Sequence, residues 1–240
     1  MDTYPVQASV TKRYGKTTIL DGIELTFQRG EIFGLLGPSG SGKTTLVKLL
    51  CGIEEATEGT VQVFNQQMPD LNVMNRMGYM AQADALYVEL TAKENLEFFA
   101  SLSGVKRTER KERIQEVMKL VDLEQHLDKK VETYSGGMKR RLSLAIALLH
   151  KPDILLLDEP TVGIDPSLRQ RIWDTFEALR MKGVLILVTT HVMDEAERCS
   201  RLGLIREGKL IAVGTPDEIK TNTKSTTIEQ AFLTYGGVKR

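Results

Sequence analysis

Ile32-Phe33-Gly34-Leu35-Leu36 runs directly into Gly37-Pro38-Ser39-Gly40-Ser41-Gly42-Lys43-Thr44-Thr45. The short apolar run reads as a buried strand, and Thr45 to Cys51 reads as a helix. Between them, Gly37 to Thr44 fits G-x-x-x-x-G-K-[ST], and strand, glycine-rich loop and helix is the context that motif requires. Glycines let backbone N–H groups turn inward around phosphate oxygens, and the following helix points its positive end at the same place. Lys43 is expected to reach the β- and γ-phosphates of a nucleotide. The Thr44 hydroxyl is expected to bind Mg²⁺. An ordinary Gly/Ser turn needs neither the strand nor the helix.

Upstream, Thr17 to Leu20 and Ile23 to Phe27 alternate apolar and polar side chains and read as strands, closed by a turn at Arg29-Gly30-Glu31. Downstream, Gly59 to Phe64 and Asn75 to Gln82 predict further strands. Thr91-Ala92-Lys93-Glu94 is a capping box, which starts a helix running to Gly104, and a second helix follows from about Thr108 to Leu120. Residues 83 to 148 are therefore mainly helical, inserted between strand-rich parts. Pro152 breaks the helix ending near Leu149, and Ile154 to Leu157 is a buried strand. Asp165-Pro166 caps a helix that closes near Gly183. Val184 to Thr190 is the next strand, Asp194 to Cys199 a helix, and Leu202 to Val213 two strands around Glu207-Gly208. This alternation implies an α/β fold with a mostly parallel sheet and helices on its faces. The residues after Lys220 read as a loosely held polar tail.

The 41% apolar content of the 240 residues is ample for a core. Lys plus Arg and Asp plus Glu number 32 each, so no basic excess points to nucleic acid, and none is expected as a partner. Cys51 and Cys199 match no metal spacing and read as reduced, partly buried thiols. Met1 to Pro5 has no apolar signal core, and the longest apolar stretches fall far short of the ~20 residues that cross a bilayer. The expected location is cytoplasmic, with the membrane reached only through a partner.

Ile154-Leu155-Leu156-Leu157-Asp158-Glu159 puts two acids at the end of a buried strand, where ligands of open α/β sheets collect. Asp158 is in position to hold Mg²⁺, directly or through water. Glu159, pointing to the other side of the chain trace, can polarise a water that attacks the γ-phosphate, as general base. Ser135-Gly136-Gly137 opens a helix, so its N–H groups and the Ser135 hydroxyl can meet a γ-phosphate by the same helix-end physics as the cradle.

Taken together, these motifs resemble the ATP-binding subunits of ABC transporters over roughly residues 6 to 215. The resemblance makes Gly37 to Thr45 the Walker A loop, Gln82 the Q-loop glutamine and Tyr134-Ser135-Gly136-Gly137-Met138 the family signature. Ile154 to Asp158 becomes Walker B, Val162-Gly163-Ile164-Asp165 the D-loop and His191 the switch histidine. Tyr14 falls where the family stacks an aromatic on adenine. Tyr134 and Met138 replace the commoner leucine and glutamine, and both changes spare the serine and glycines. It implies a P-loop NTPase (RecA-like) core with a mixed sheet, an N-terminal antiparallel β-subdomain and an inserted helical subdomain. One cassette would span residues 1–220, with its core at about 1–82 and 150–220, its helical part at about 83–149, and a tail at 221–240.

The cofactors so implied are ATP and Mg²⁺. Asp165 joins the nucleotide-contacting set, Gln82 can ligate Mg²⁺ through its amide oxygen, and His191 can hydrogen-bond the γ-phosphate. Each site holds one cradle and one signature, which implies two chains meeting head to tail, the second being another copy or a paralogue. Polytopic membrane permease subunits complete the assembly. Tyr134 to Arg141 and Leu86 to Leu96 are similar in wording to the drug- and antibiotic-export branch with ABC-2 type partners. Other classes stay open at this level: a P-loop GTPase, which lacks its Asn-Lys-x-Asp reader here; a small-molecule kinase; a nucleotide-gated clamp; and a soluble ABC ATPase of translation or repair.

Overall fold

A computed structural model describes residues 5–83 and 85–237. The first half runs β1 (Val6–Tyr14), β2 (Thr17–Phe27), β3 (Ile32–Leu36), α1 (Lys43–Leu50), β4 (Glu58–Val63), β5 (Gln66–Gln67), α2 (Leu71–Met74), β6 (Met77–Met80), α3 (Ala92–Leu102) and α4 (Arg107–Leu120). It continues α5 (Gly136–Leu148), β7 (Ile154–Asp158), α6 (Pro166–Met181), β8 (Leu185–Thr190), α7 (Met193–Ala196), β9 (Arg201–Arg206), β10 (Lys209–Gly214), α8 (Pro216–Thr223) and α9 (Ile228–Tyr235). The two-residue β5 and the short α2, capped by the Asp70 carboxylate on Val73 N–H, have no clear periodicity in the sequence.

The strands form two sheets. One is antiparallel, ordered β2-β1-β4-β5. The other is ordered β10-β9-β3-β8-β7-β6, parallel throughout except for the β9–β10 hairpin at its edge. This is the α/β arrangement, mixed sheet plus antiparallel sheet, that the strand–helix alternation and the resemblance imply.

Period-2 alternation divides the core in two. Ile32 and Leu36 of β3, Leu155 and Leu157 of β7, and Ile186 and Val188 of β8 face the layer that holds α3 to α6. Phe33 and Leu35, Ile154 and Leu156, and Leu185 and Leu187 face the other way, onto Leu46, Val47, Leu49 and Leu50 of α1 and the inner face of the antiparallel sheet. Both faces of the central strands are buried, which explains why those strands read as unbroken apolar runs rather than alternating ones. Gly34 is one place where a side chain cannot fit: a Cβ would lie 2.7 Å from Cys199 Sγ and from a Leu202 methyl.

Helix ends follow local chemistry. Thr91 and Glu94 form the reciprocal capping box on α3, and Asp165 accepts from Leu168 N–H at the head of α6, with Pro166 next. Ser135 caps α5 through Met138 N–H. The polar tail differs from expectation. Thr215 and Glu218 make a second capping box on α8. In α9, Ile228 and Ala231 are buried, and Phe232 and Tyr235 pack against the same core. These four sit at i, i+3, i+4 and i+7, one helix face, which the polar residues between them conceal. Both cysteines are fully buried rather than partly so, and burial pushes both thiols up. No helix among the described residues is long and apolar enough to cross a membrane.

Candidate active site

Four neighbouring parallel strands end side by side. Leu36 of β3 is level with Thr190 of β8, Asp158 of β7 with Thr189, and Met80 of β6 with Leu157. Their carboxyl ends therefore deliver the loop 37–42, Thr190-His191, Asp158-Glu159 and Ala81-Gln82 to one edge of the sheet, where open α/β sheets bind ligands.

The loop is tightly wrapped. A Cβ on Gly37 would meet Ser41 Oγ and an Ile205 methyl at 2.8 Å, and Gly42 takes φ +103°, with a Leu20 methyl 2.6 Å from where its Cβ would be. Lys43 is 6% exposed and donates to the carbonyl oxygens of Gly37 (2.8 Å) and Pro38 (2.9 Å), which leaves one of its three N–H donors for a ligand. Burial lowers its pKa, and the Glu159 and Asp158 carboxylates oppose that shift. Ser41 Oγ is buried with no hydrogen-bond partner in the structure. A buried hydroxyl without a partner among the described residues, just before a helix start, suits phosphate oxygens.

Behind the loop, Thr44 Oγ1 donates to Asp158 Oδ2 (2.7 Å), and Thr189 Oγ1 donates to Asp158 Oδ1. Thr189 also receives the Glu159 N–H twice, at Oγ1 (3.0 Å) and at its carbonyl (3.1 Å). Glu159 adopts φ +53°, a left-handed backbone that a non-glycine residue holds only when its surroundings impose it. Its carboxylate Oε1 lies 2.9 Å from His191 Nδ1, so with Glu159 ionised that nitrogen carries the proton and donates. Lys43, Thr44, Asp158, Glu159 and His191 thus stand in one cluster. The oxygen donors Thr44 and Asp158 form a hard-donor pair that suits Mg²⁺, an ion that keeps several waters and binds through one or two carboxylates plus substrate phosphates.

Two participants escaped the sequence reading. Arg140 of α5, 8% exposed, donates to the carbonyl oxygens of Ala81, Gln82 and Glu159 at 2.8, 2.8 and 2.7 Å, and to that of Asp158. Glu195 of α7, 3% exposed, accepts from Thr161 Oγ1 and from Thr190 Oγ1 (2.6 Å), which clips the chain just before His191 to the segment after Glu159. Arg140 lies within the Tyr134 to Arg141 stretch, but as one of three consecutive basic residues, and Glu195 stands among other acids, so nothing local sets either apart; their burial and their partners in other segments do.

Other expected residues lie at varying distance from this cluster. Tyr14 is 48% exposed rather than packed in the core, its hydroxyl held by Glu54, and that hydrogen bond raises its pKa. Gln82 is exposed on the loop after β6. Ser135, Gly136 and Gly137 head α5, where a Cβ on Gly137 would lie 3.2 Å from the carbonyl of Gly163. Asp165 caps α6. Among the described residues, no hydrogen bond or ion pair joins Ser135 to Gly137 with residues 37–45.

A family model described as "ABC transporter" matches residues 20–162, more than half of the chain. The chain belongs to that family. It carries the family's ATP-binding domain. It is 41% identical over 231 residues to the probable multidrug ABC transporter ATP-binding protein YbhF of Escherichia coli (strain K12), covering 93% of this chain but 40% of that protein, so it spans less than half the length of that relative. It is 40% identical over 233 residues to the linearmycin resistance ATP-binding protein LnrL of Bacillus subtilis (strain 168), covering 96% of this chain and 74% of that protein. The bacterial ABC transporter cassette MJ0796, solved as a dimer, aligns with a TM-score of 0.82 at 28% identity over 88% of this chain and 98% of its own. The same cassette has been solved as a dimer in a post-hydrolysis state with ADP and Pi, with a TM-score of 0.81 over the same shares.

Proposed function

We propose that this ABC cassette hydrolyses ATP as half of a head-to-tail pair and drives a membrane permease that exports a drug-like, antibiotic or lipid-like cargo. The observation that carries the reading is the Thr44–Asp158–Thr189–Glu159–His191 network beside Lys43. It is consistent with the post-hydrolysis state, with ADP and Pi, in which MJ0796 has been solved.

In this reading the loop amides, Ser41 and Lys43 hold the phosphate chain of ATP, and Tyr14 stacks on adenine. Thr44, Asp158 and Gln82 would hold Mg²⁺, which when bound neutralises charge on the β- and γ-phosphates. Glu159 accepts a proton from the attacking water, and His191 orients its carboxylate and contacts the γ-phosphate. Ser135, Gly136, Gly137 and Asp165 face the phosphates of a second chain, a copy or a paralogue, as the MJ0796 dimer supports.

Residues 1–220 act as one cassette, with a nucleotide core near 1–82 and 150–220 and a helical part near 83–149. The permease docks beside Gln82. Within residues 82 to 99, Tyr87, Val88 and Phe98 are exposed, and Tyr87 packs edge-on against Phe98 at 5.0 Å. The buried Asn95 amide fastens Tyr87 by accepting from its N–H and donating to its carbonyl oxygen, each at 2.9 Å. A fixed aromatic knob of this kind suits a protein partner. The complex lies on the inner face of the cell membrane. The names of YbhF and LnrL favour export and the cargo class.

The test is Glu159→Gln. ATP affinity stays within about twofold of the parent while kcat falls at least about 100-fold, the range for loss of a general base. Hydrolysis at the parent rate would remove Glu159 as the base.

A further inference from the structure

Arg140 sits on the second turn of α5, four residues past Gly136 at its head. Its guanidinium offers five N–H donors in one rigid plane. Nε donates to Glu159 O (3.2 Å), one terminal nitrogen to Ala81 O and Gln82 O (2.8 Å each), and the other to Glu159 O (2.7 Å) and Asp158 O. Four carbonyls from two loops thus converge on one side chain. Those loops leave β6 and β7, which are adjacent strands. The carbonyls of Asp158 and Glu159 flank the left-handed turn at Glu159, so the fork also stabilises that turn.

We propose that Arg140 is a positioning residue. It ties the Ser135–Gly137 end of α5 to the backbone that aims Glu159 and Gln82, so that a contact at the head of the helix is felt at both. The proposal rests on Glu159 acting as the base. It predicts that fork geometry rather than positive charge is what matters. A lysine keeps the charge but presents three donors from a single point and cannot span two loops.

Arg113 supplies the control. It is also 8% exposed, and its guanidinium donates to the carbonyls of Leu148 (2.6 Å) and Leu149 (3.0 Å) at the opposite end of α5. The experiment measures kcat, KM for ATP and the thermal midpoint for the parent, Arg140→Lys, Arg140→Gln and Arg113→Lys. Both Arg140 variants are expected to lose at least about tenfold in kcat with KM within about twofold, the pattern of an interaction needed for turnover rather than for binding. Arg113→Lys is expected to lower the thermal midpoint with kcat near the parent's. A kcat for Arg140→Lys equal to that of the parent or of Arg113→Lys overturns the proposal. Should neither Arg140 variant fold, native-state hydrogen exchange on the parent decides: amides of residues 81–83 and 158–162 opening at one denaturant concentration support the tie, and separate openings overturn it. That measurement needs no hydrolysis, so a parent without ATPase activity would sink the catalytic reading while the tie is still judged independently.

Discussion

At the scale of single residues, the candidate site holds charged groups that the fold has already buried, Lys43 and Asp158 among them. Lys43 is buried against two carbonyls of its own loop, which hold its ammonium in place. Lys43→Ala is expected to weaken ATP binding about 10- to 100-fold, since hydrogen bonds to charged groups contribute about 1.5–3 kcal/mol; titration with a fluorescent nucleotide measures it. His150 acts on stability instead. Its Nε2 lies 3.0 Å from the Met77 carbonyl, and burial lowers its pKa from 6.5. A depressed value in the folded state means that the unfolded chain binds the extra proton first. Its contribution is therefore complete above about pH 6.5 and is lost as pH falls toward the folded value. The thermal midpoint of His150→Asn should fall less than the parent's between pH 7.5 and 5.5; parallel curves would assign the acid sensitivity to other groups.

At the scale of elements, caps and strand ends carry the organisation. The Thr91–Glu94 box is local, four residues long, and legible without any fold. Thr91→Ala is expected to cost about 1 kcal/mol, or about 2–4 °C in thermal midpoint for a chain of this size. ATP affinity should not change, because α3 contributes no residue to the phosphate loop; a matching loss of affinity would mean that α3 and the loop are coupled. The buried strands could also be read, because sheets covered on both faces demand continuous apolar runs. The face of α9 went unread, since its four apolar positions are interspersed with the polar Glu229, Gln230 and Thr234 and with an exposed Leu233, and only packing reveals which side is inside.

At the scale of the molecule, no hydrogen bond or ion pair among the described residues joins the loop 37–45 to Ser135–Gly137. Ser135 to Gly137 lie at the head of α5, and the loop 37–42 at the end of β3. Glu159→Gln provides the whole-molecule prediction as well as the catalytic one. With ATP and Mg²⁺ it is expected to elute at twice the monomer mass, and without nucleotide as a monomer. A monomer under both conditions would argue against sites shared between chains. MJ0796, the similar cassette, has itself been solved as a dimer.

Much of the local structure around the candidate site was readable in advance because it is written in short segments. Gly37 to Thr44 links β3 to α1, Asp158-Glu159 ends β7, and Ser135 to Gly137 opens α5, each as its neighbouring residues dictate, because backbone geometry follows from local sterics and capping. The assembly of those segments was not readable. That Thr189 serves both Asp158 and Glu159, that Arg140 collects carbonyls from two loops, and that Glu195 holds Thr161 and Thr190 all depend on side chains 5 to 59 residues apart in sequence meeting in space. Spacing patterns encode periodicity within one element. Contacts between elements are set by sheet order and packing, which exist only once the chain has folded.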